Sequence, residues 1–242
     1  MQAPLVVFVP GFMQRGEAWA PVAGIVSESY TTLCVDFAAN TLAGRLDELR
    51  AAAPPGAVAV GYSMGGRLAL QLAAREPERF GALVTVGAAA GIEDPGERRA
   101  RREADEALAT WIEGQPIEAV VERWESQPVF AGQSPELVEA QRAGRRSHRP
   151  GELAELLRSA GQGAAEPVWE RIGSLPMPLL AIAGERDERY AAAARRLAEL
   201  APRGRCELVP GAGHAAHLER PDAVAELILG ALASWADSGS AS

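Results

Sequence analysis

The chain has little cysteine, little histidine and few aromatic residues. Its 242 residues hold two cysteines, three histidines and 5% aromatics. Cys34 and Cys206 both fall in apparent strands, so buried free thiols are expected and a disulfide is not. No Cys/His cluster has metal-ligand spacing, and no Gly-rich loop has the dinucleotide or phosphate-loop pattern. The reading therefore includes no metal and no organic cofactor. Basic excess is also missing. The net charge of −8 argues against nucleic acid or an anionic membrane as the main partner. No apolar run approaches the ~20 residues of a membrane helix. Met1 to Pro4 lead straight into a strand, without a basic n-region or an apolar h-region, so a cytoplasmic location is expected. The Ser/Gly/Ala-rich tail, Asp237–Ser242, is expected to be disordered.

What remains is an ordinary globular composition, 48% hydrophobic and 23% charged. The length suits one large α/β domain. Short apolar runs at Leu5–Val9, Thr32–Val35, Val58–Val60, Leu83–Val86, Leu179–Ala183 and Glu207–Val209 read as strands. Helical patterns at Trp19–Val26, Leu42–Ala53, Arg67–Arg75, Tyr190–Leu200 and Asp222–Trp235 lie between or after them. This alternation predicts a mostly parallel sheet covered by helices on both faces. Loops at the carboxyl ends of the strands should then carry the chemistry. The alternation stops between residues 92 and 174. That stretch is helical, rich in Arg and Glu, and lacks a convincing strand. It reads as a cap inserted into a core made of residues 1–91 and 175–236.

The densest signal is Gly61-Tyr62-Ser63-Met64-Gly65-Gly66-Arg67, placed between an apolar run and a helical pattern. Strand, Gly-x-Ser-x-Gly, helix is the setting of a nucleophile elbow. Gly61 and Gly65 relieve crowding at the sharp turn, and the helix start favours a developing anion near the Ser63 hydroxyl. Such a serine needs a base and an orienting acid, in the chain order Ser, acid, His. His214 follows the last strand and is the expected base. His217, three residues on, is the weaker choice, and His148 is expected to face solvent from the insertion. Asp187, just past the fifth strand, is the expected acid, with Glu185 as the alternative. Asp187 also reads as an N-cap. Two backbone N–H groups, of Phe12 after the first strand and of Met64 after the serine, would form an oxyanion hole. Together these features point to the α/β-hydrolase fold.

Finer motifs carry a closer resemblance. The elbow extends through Tyr62 to Arg67. The acid loop is Gly184-Glu185-Arg186-Asp187-Glu188-Arg189-Tyr190. The histidine loop runs Ala212-Gly213-His214-Ala215-Ala216-His217-Leu218-Glu219-Arg220-Pro221, and the insertion carries Trp124-Glu125-Ser126-Gln127-Pro128-Val129-Phe130. In these the chain resembles the 2-succinyl-6-hydroxy-2,4-cyclohexadiene-1-carboxylate synthases of menaquinone biosynthesis. The resemblance implies a cofactor-free lyase that eliminates pyruvate from a tricarboxylate, with Ser63 as general base. It also implies that Tyr62, Arg67, Arg101, Trp124 and Arg145 contact the substrate. Three departures stand out. Pro10 occupies a position where many relatives have His, Arg189 replaces Lys, and Tyr190 replaces Phe. Two other readings remain open: a carboxylesterase or other small acyl hydrolase, and a non-catalytic receptor on the same fold. The expected partner is a small polycarboxylate, and a monomer or small homo-oligomer fits equally.

Overall fold

The computed structural model describes residues 3–239. Six strands, β1 (Val6–Val9), β2 (Thr32–Cys34), β3 (Ala57–Tyr62), β4 (Phe80–Val86), β5 (Leu179–Gly184) and β6 (Gly204–Val209), form one sheet in the order β2-β1-β3-β4-β5-β6. Every neighbouring pair is parallel. The four inner strands, β1, β3, β4 and β5, are near-continuously apolar, as strands of a parallel sheet covered on both faces are.

The pleat divides the strand residues between two cores. Val7, Val9, Ala59, Leu83, Ala181 and Ala183 point to one face, and Val6, Phe8, Val60, Val84 and Ile182 to the other. On the second face lie α1 (Ala20–Val26) and, from the far end of the chain, α10 (Ala216–Glu219) and α11 (Pro221–Gly239). On the first face lie α2 (Leu42–Ala52), α3 (Met64–Arg75) and α9 (Glu188–Leu200).

Between β4 and β5 the described residues form no strand. The chain instead makes α4 (Pro95–Glu113), α5 (Ile117–Glu125), α6 (Pro135–Arg146), α7 (Pro150–Ala160) and α8 (Trp169–Ile172). Asp94 caps α4 through the Glu97 N–H at 2.7 Å, and Ser134 caps α6 through that of Leu137 at 3.3 Å. The inserted helices dock on the core by side-chain-to-backbone bonds. The Leu42 N–H donates to Ser159 Oγ at 2.7 Å, and Arg15 donates to both the hydroxyl and the carbonyl of Ser147 at 3.0 Å.

Three local expectations fail. His148 is buried, with 8% exposure, because it packs under the insertion beside Arg15 and Arg45. Its ring is held neutral: burial, then the two arginines, push its pKa down to about 4. Cys34 and Cys206 are free thiols, but half-buried, because β2 and β6 are the edges of the sheet. The tail expected to be disordered from Asp237 begins as helix, since α11 continues to Gly239. Ser240–Ser242 lie outside the described residues.

Candidate active site

β3 ends at Tyr62 and α3 begins at Met64, leaving Ser63 as a one-residue corner. Its φ of 47° and ψ of −107° put a non-glycine residue in a strained region, which persists only when the surroundings enforce it. The Ser63 N–H donates to the Val86 carbonyl at 2.9 Å and its carbonyl accepts from Arg67 N–H at 3.1 Å. The glycines make the corner possible. A Cβ on Gly65 would run into the carbonyl oxygens of Val9 and Pro10, and one on Gly61 would meet the Gly65–Gly66 backbone at 2.5 Å. The elbow helix thus presses against the loop after β1.

Around that corner the structure brings together the residues expected from three separate loops. His214 Nδ1 lies 2.7 Å from Asp187 Oδ2, and His214 Nε2 lies 3.2 Å from Ser63 Oγ. A carboxylate only accepts, so Nδ1 carries the proton and Nε2 is left to accept from the serine hydroxyl. An array of this geometry can take a proton through the serine or activate it as a nucleophile. Asp187 does double duty: its other oxygen accepts from Tyr190 N–H at 3.4 Å and caps α9. Asp187 thus caps α9 and at the same time lies within hydrogen-bond distance of the His214 ring. Glu185 is engaged elsewhere, accepting from the Gly211 N–H at 3.0 Å.

Phe12 and Met64 both line the cavity beside Ser63. Met64 opens α3, so its N–H has no acceptor upstream in the helix. The cavity measures about 400 Å³ and lies between the strand ends and the inserted helices. Tyr62, Arg67, Arg101, Trp124 and Arg145, the residues expected at a ligand, all line it. Trp124 lines the cavity and also packs against the edge of the core. Its half-buried ring lies 5.2 Å from Phe12 and 5.6 Å from Phe130. The Tyr62 ring lies 5.2 Å from that of His214 and 4.2 Å from that of His217.

The arginines differ in pairing. Arg145 is 4% exposed and bonds Glu125 Oε1 at 2.9 Å and Gln141 Oε1 at 2.7 Å. Arg101 bonds Asp105 at 2.7 Å. Arg67 has no acidic partner among the described residues. Its Nη2 donates to the Ala160 carbonyl at 2.8 Å, and its Nε meets nothing. Burial pulls its pKa down. Arg189 donates to Gln162 Oε1 at 3.3 Å and has no acidic partner among the described residues.

Several lining residues carry no signal in the sequence. Gln162 donates to the Tyr190 hydroxyl at 2.8 Å and links the insertion to α9. Gln14, Gln127 and Gln141 line the cavity from three separate segments of the chain. Gln14, Gln141 and Gln162 lie outside any motif and have nothing to mark them, whereas Gln127 falls inside the Trp124–Phe130 segment. No group of three or more His, Cys, Asp or Glu among the described residues could hold a metal. No helix among them is long and apolar enough to cross a membrane.

Residues 6–227 match the alpha/beta hydrolase family. The chain belongs to that family. Within it, the chain is 30% identical over 237 residues to a 2-succinyl-6-hydroxy-2,4-cyclohexadiene-1-carboxylate synthase of Salmonella schwarzengrund (strain CVM19633), covering 93% of this chain and 92% of that protein. A Bacillus subtilis (strain 168) protein that carries the same name provisionally is 38% identical over 165 residues, 67% of this chain. That match spans 60% of the Bacillus protein, and a match to the Citrobacter koseri synthase spans 64% of that one. Among solved structures, MenH from S. aureus superposes with a TM-score of 0.91 at 26% identity, covering 97% of this chain and 95% of that one. A thermophilic esterase from Thermogutta terrifontis, solved with malate bound, superposes at 0.80 with 19% identity and speaks for the fold alone.

Proposed function

We propose that this α/β-hydrolase-fold protein is a carbon–oxygen lyase, eliminating pyruvate from 2-succinyl-5-enolpyruvyl-6-hydroxy-3-cyclohexene-1-carboxylate in menaquinone biosynthesis. The observation that carries the reading is Arg67, a buried guanidinium without an acidic partner in the wall of the cavity that holds Ser63, His214 and Asp187. A buried cation of this kind costs several kcal/mol until an anion meets it. A neutral ester offers it nothing, whereas a tricarboxylate does. The named synthase relatives support the same reading.

In this mechanism Ser63, deprotonated through His214, takes the ring proton alpha to the succinyl ketone. The electron pair forms an enolate whose oxygen accepts from the Phe12 and Met64 N–H groups. The enolate collapses through the ring alkene and breaks the bond to the enolpyruvyl oxygen. The diene remains. The expelled enolpyruvate takes up the proton that His214 holds and tautomerises to pyruvate. Asp187 fixes the tautomer of His214 and stabilises the imidazolium. Preorganised donors at such an oxyanion are worth ~3–4 kcal/mol each. Tyr62, Arg67, Arg101, Trp124 and Arg145 would position the substrate.

The test is to incubate the protein with the enolpyruvyl substrate and couple released pyruvate to lactate dehydrogenase. Pyruvate should appear in step with the diene absorbance, and no acyl-enzyme should form. Brisk hydrolysis of p-nitrophenyl acetate, without pyruvate above the spontaneous rate, would instead assign an esterase.

A further inference from the structure

His217 takes no direct part in the mechanism above, yet it is fully buried, directly behind the site. Its ring lies between those of Tyr62, at 4.2 Å, and Trp19, at 4.5 Å. Its Nε2 lies 3.3 Å from Gln14 Nε2, and its Nδ1 is buried without a partner. Gln14 reaches the other way. Its Oε1 accepts from the Gly11 N–H at 3.1 Å, and its own N–H closes a turn onto the Gly11 carbonyl at 3.3 Å.

These bonds fix the protonation pattern. The Gly11 N–H can only donate, so the Gln14 atom facing it is the amide oxygen. The other Gln14 atom is then an NH₂, which must find an acceptor. That acceptor is His217 Nε2, so the His217 proton sits on Nδ1. The arrangement leaves one buried N–H unsatisfied, at a cost of roughly 1–3 kcal/mol. A His217 serving only to fill space would not require that cost, since an apolar ring would fill the same place. His217 also stays neutral, as the chain of bonds requires: burial, with a lesser contribution from His214, pushes its pKa down to about 3.

We infer that His217 is a positioning residue for the oxyanion donor: through Gln14 it holds the Gly11–Phe12 peptide segment in place. This rests on the role proposed for the Phe12 N–H. The buried Phe12 and Met13 side chains and the press of Gly65 on the Val9 and Pro10 carbonyls anchor the ends of the loop, and the Gln14 side chain is what holds the Gly11 N–H itself. Met13 has a positive φ of 57°, and a Cβ on Gly11 would meet the Tyr62 ring at 2.7 Å, so the segment is a strained turn in close contact with the elbow strand. The same Tyr62 ring rests on His217. One imidazole thus braces both the loop that bears Phe12 and the residue before Ser63.

The test is a double-mutant cycle of His217→Phe and Gln14→Ala, with His217→Gln as the conservative variant. His217→Phe keeps a ring between Tyr62 and Trp19 but loses the acceptor. It should lower kcat about 10-fold and leave KM within about 2-fold, less than the 10²–10³ for deleting a donor outright. Gln14→Ala should do the same, and the double variant should be no worse than either alone. His217→Gln, which restores an acceptor near the Nε2 position, should recover most of the loss. In ¹H–¹⁵N spectra the Gly11 and Phe12 amide signals should shift and exchange faster in His217→Phe and in Gln14→Ala.

Additive losses in the cycle, or unchanged kcat with an unchanged Gly11 amide in Gln14→Ala, would overturn the inference. The cycle is run on both pyruvate release and p-nitrophenyl acetate hydrolysis, because either reaction uses the same donor. Absence of pyruvate in the parent would sink the lyase reading while leaving the ester rates and amide spectra to decide on His217. Should His217→Phe fail to fold, Gln14→Ala and its spectrum decide alone.

Discussion

Arg67→Met separates a substrate-reading arginine from a structural one, because the two roles predict opposite patterns. Arg67 lies on α3, one turn past Ser63. Its visible structural work is a single bond from Nη2 to the Ala160 carbonyl, the last residue of α7. A charged hydrogen bond is worth about 1.5–3 kcal/mol, and a cation at a helix C-terminus adds about 0.3–1. Against that stands the desolvation of a buried guanidinium, still several kcal/mol after relaxation. The terms nearly cancel. Arg67→Met should therefore unfold in urea within about 1 kcal/mol of the parent, with an unchanged slope.

Activity should respond differently. A lost charged bond to a substrate carboxylate costs about 1.5–3 kcal/mol, or roughly 10- to 150-fold in kcat/KM for pyruvate release. Hydrolysis of p-nitrophenyl acetate, which has no carboxylate to present, should change less than about 3-fold, under 1 kcal/mol. The measurement is a urea melt alongside both rate assays on one preparation. The reasoning fails if the variant loses more than about 3 kcal/mol of stability, the range of a truly load-sharing buried ion, and both rates fall by a common factor. The guanidinium would then serve to hold α7.

Other perturbations follow from the same contacts. Ser63→Gly should abolish pyruvate release yet raise stability by about 1 kcal/mol in a urea melt, because glycine accepts the positive φ of the corner. Gly65→Ala should lose at least about 2 kcal/mol, since its Cβ meets two backbone carbonyls that cannot yield; an unchanged melting temperature would contradict the packing described. His148 has a folded pKa of about 4, below its unfolded value, so the unfolded chain binds the extra proton. Its share of stability is present above about pH 6.5 and is lost as pH falls towards 4, at about 1.4 kcal/mol per unit. Urea midpoints between pH 7 and pH 4 should fall less steeply in His148→Gln, and parallel curves would refute the assignment.

The architecture was legible because each feature had a local cause. Val6 to Val9 and Leu179 to Ala183 are continuously apolar because both faces of a parallel strand are covered. The Gly61–Gly65 spacing reflects a corner that admits no Cβ on either side. Ser63, Asp187 and His214 could be ordered because each follows a strand end. His148 could not be placed, because nothing in Arg-Arg-Ser-His-Arg states that the helix will fold over Arg15 and Arg45. The edge positions of β2 and β6, and so the half-burial of the thiols, depend on strand order, which pattern alone does not carry. Gln14 and Gln162 escaped for the same reason. Their partners lie 203 and 28 residues away and meet them only in the fold.

The arginine content of the insertion carries less than it first offers. The chain contains no lysine, and all 24 of its basic residues are arginine. The choice of arginine at any one position therefore says nothing about a forked partner there. Pairing is the better guide. Arg158 is satisfied by Glu106 and Glu113, and Arg142 by Glu125 and Glu139, so neither has charge to spare. In the cavity, Arg101 and Arg145 are already matched by Asp105 and Glu125. An incoming carboxylate must share or displace those partners to use either one. Among the described residues Arg67 and Arg189 have no acid to displace, and since Arg67 is buried whereas Arg189 is exposed to water, a first carboxylate gains most at Arg67. Glu125→Gln tests this ordering. It frees Arg145 from its charged partner and should tighten a polyanionic substrate, lowering KM by about 3-fold, the equivalent of under 1 kcal/mol. A higher KM would mean that the Glu125 pair holds Arg145 in its binding pose, and that geometry outweighs charge at that wall.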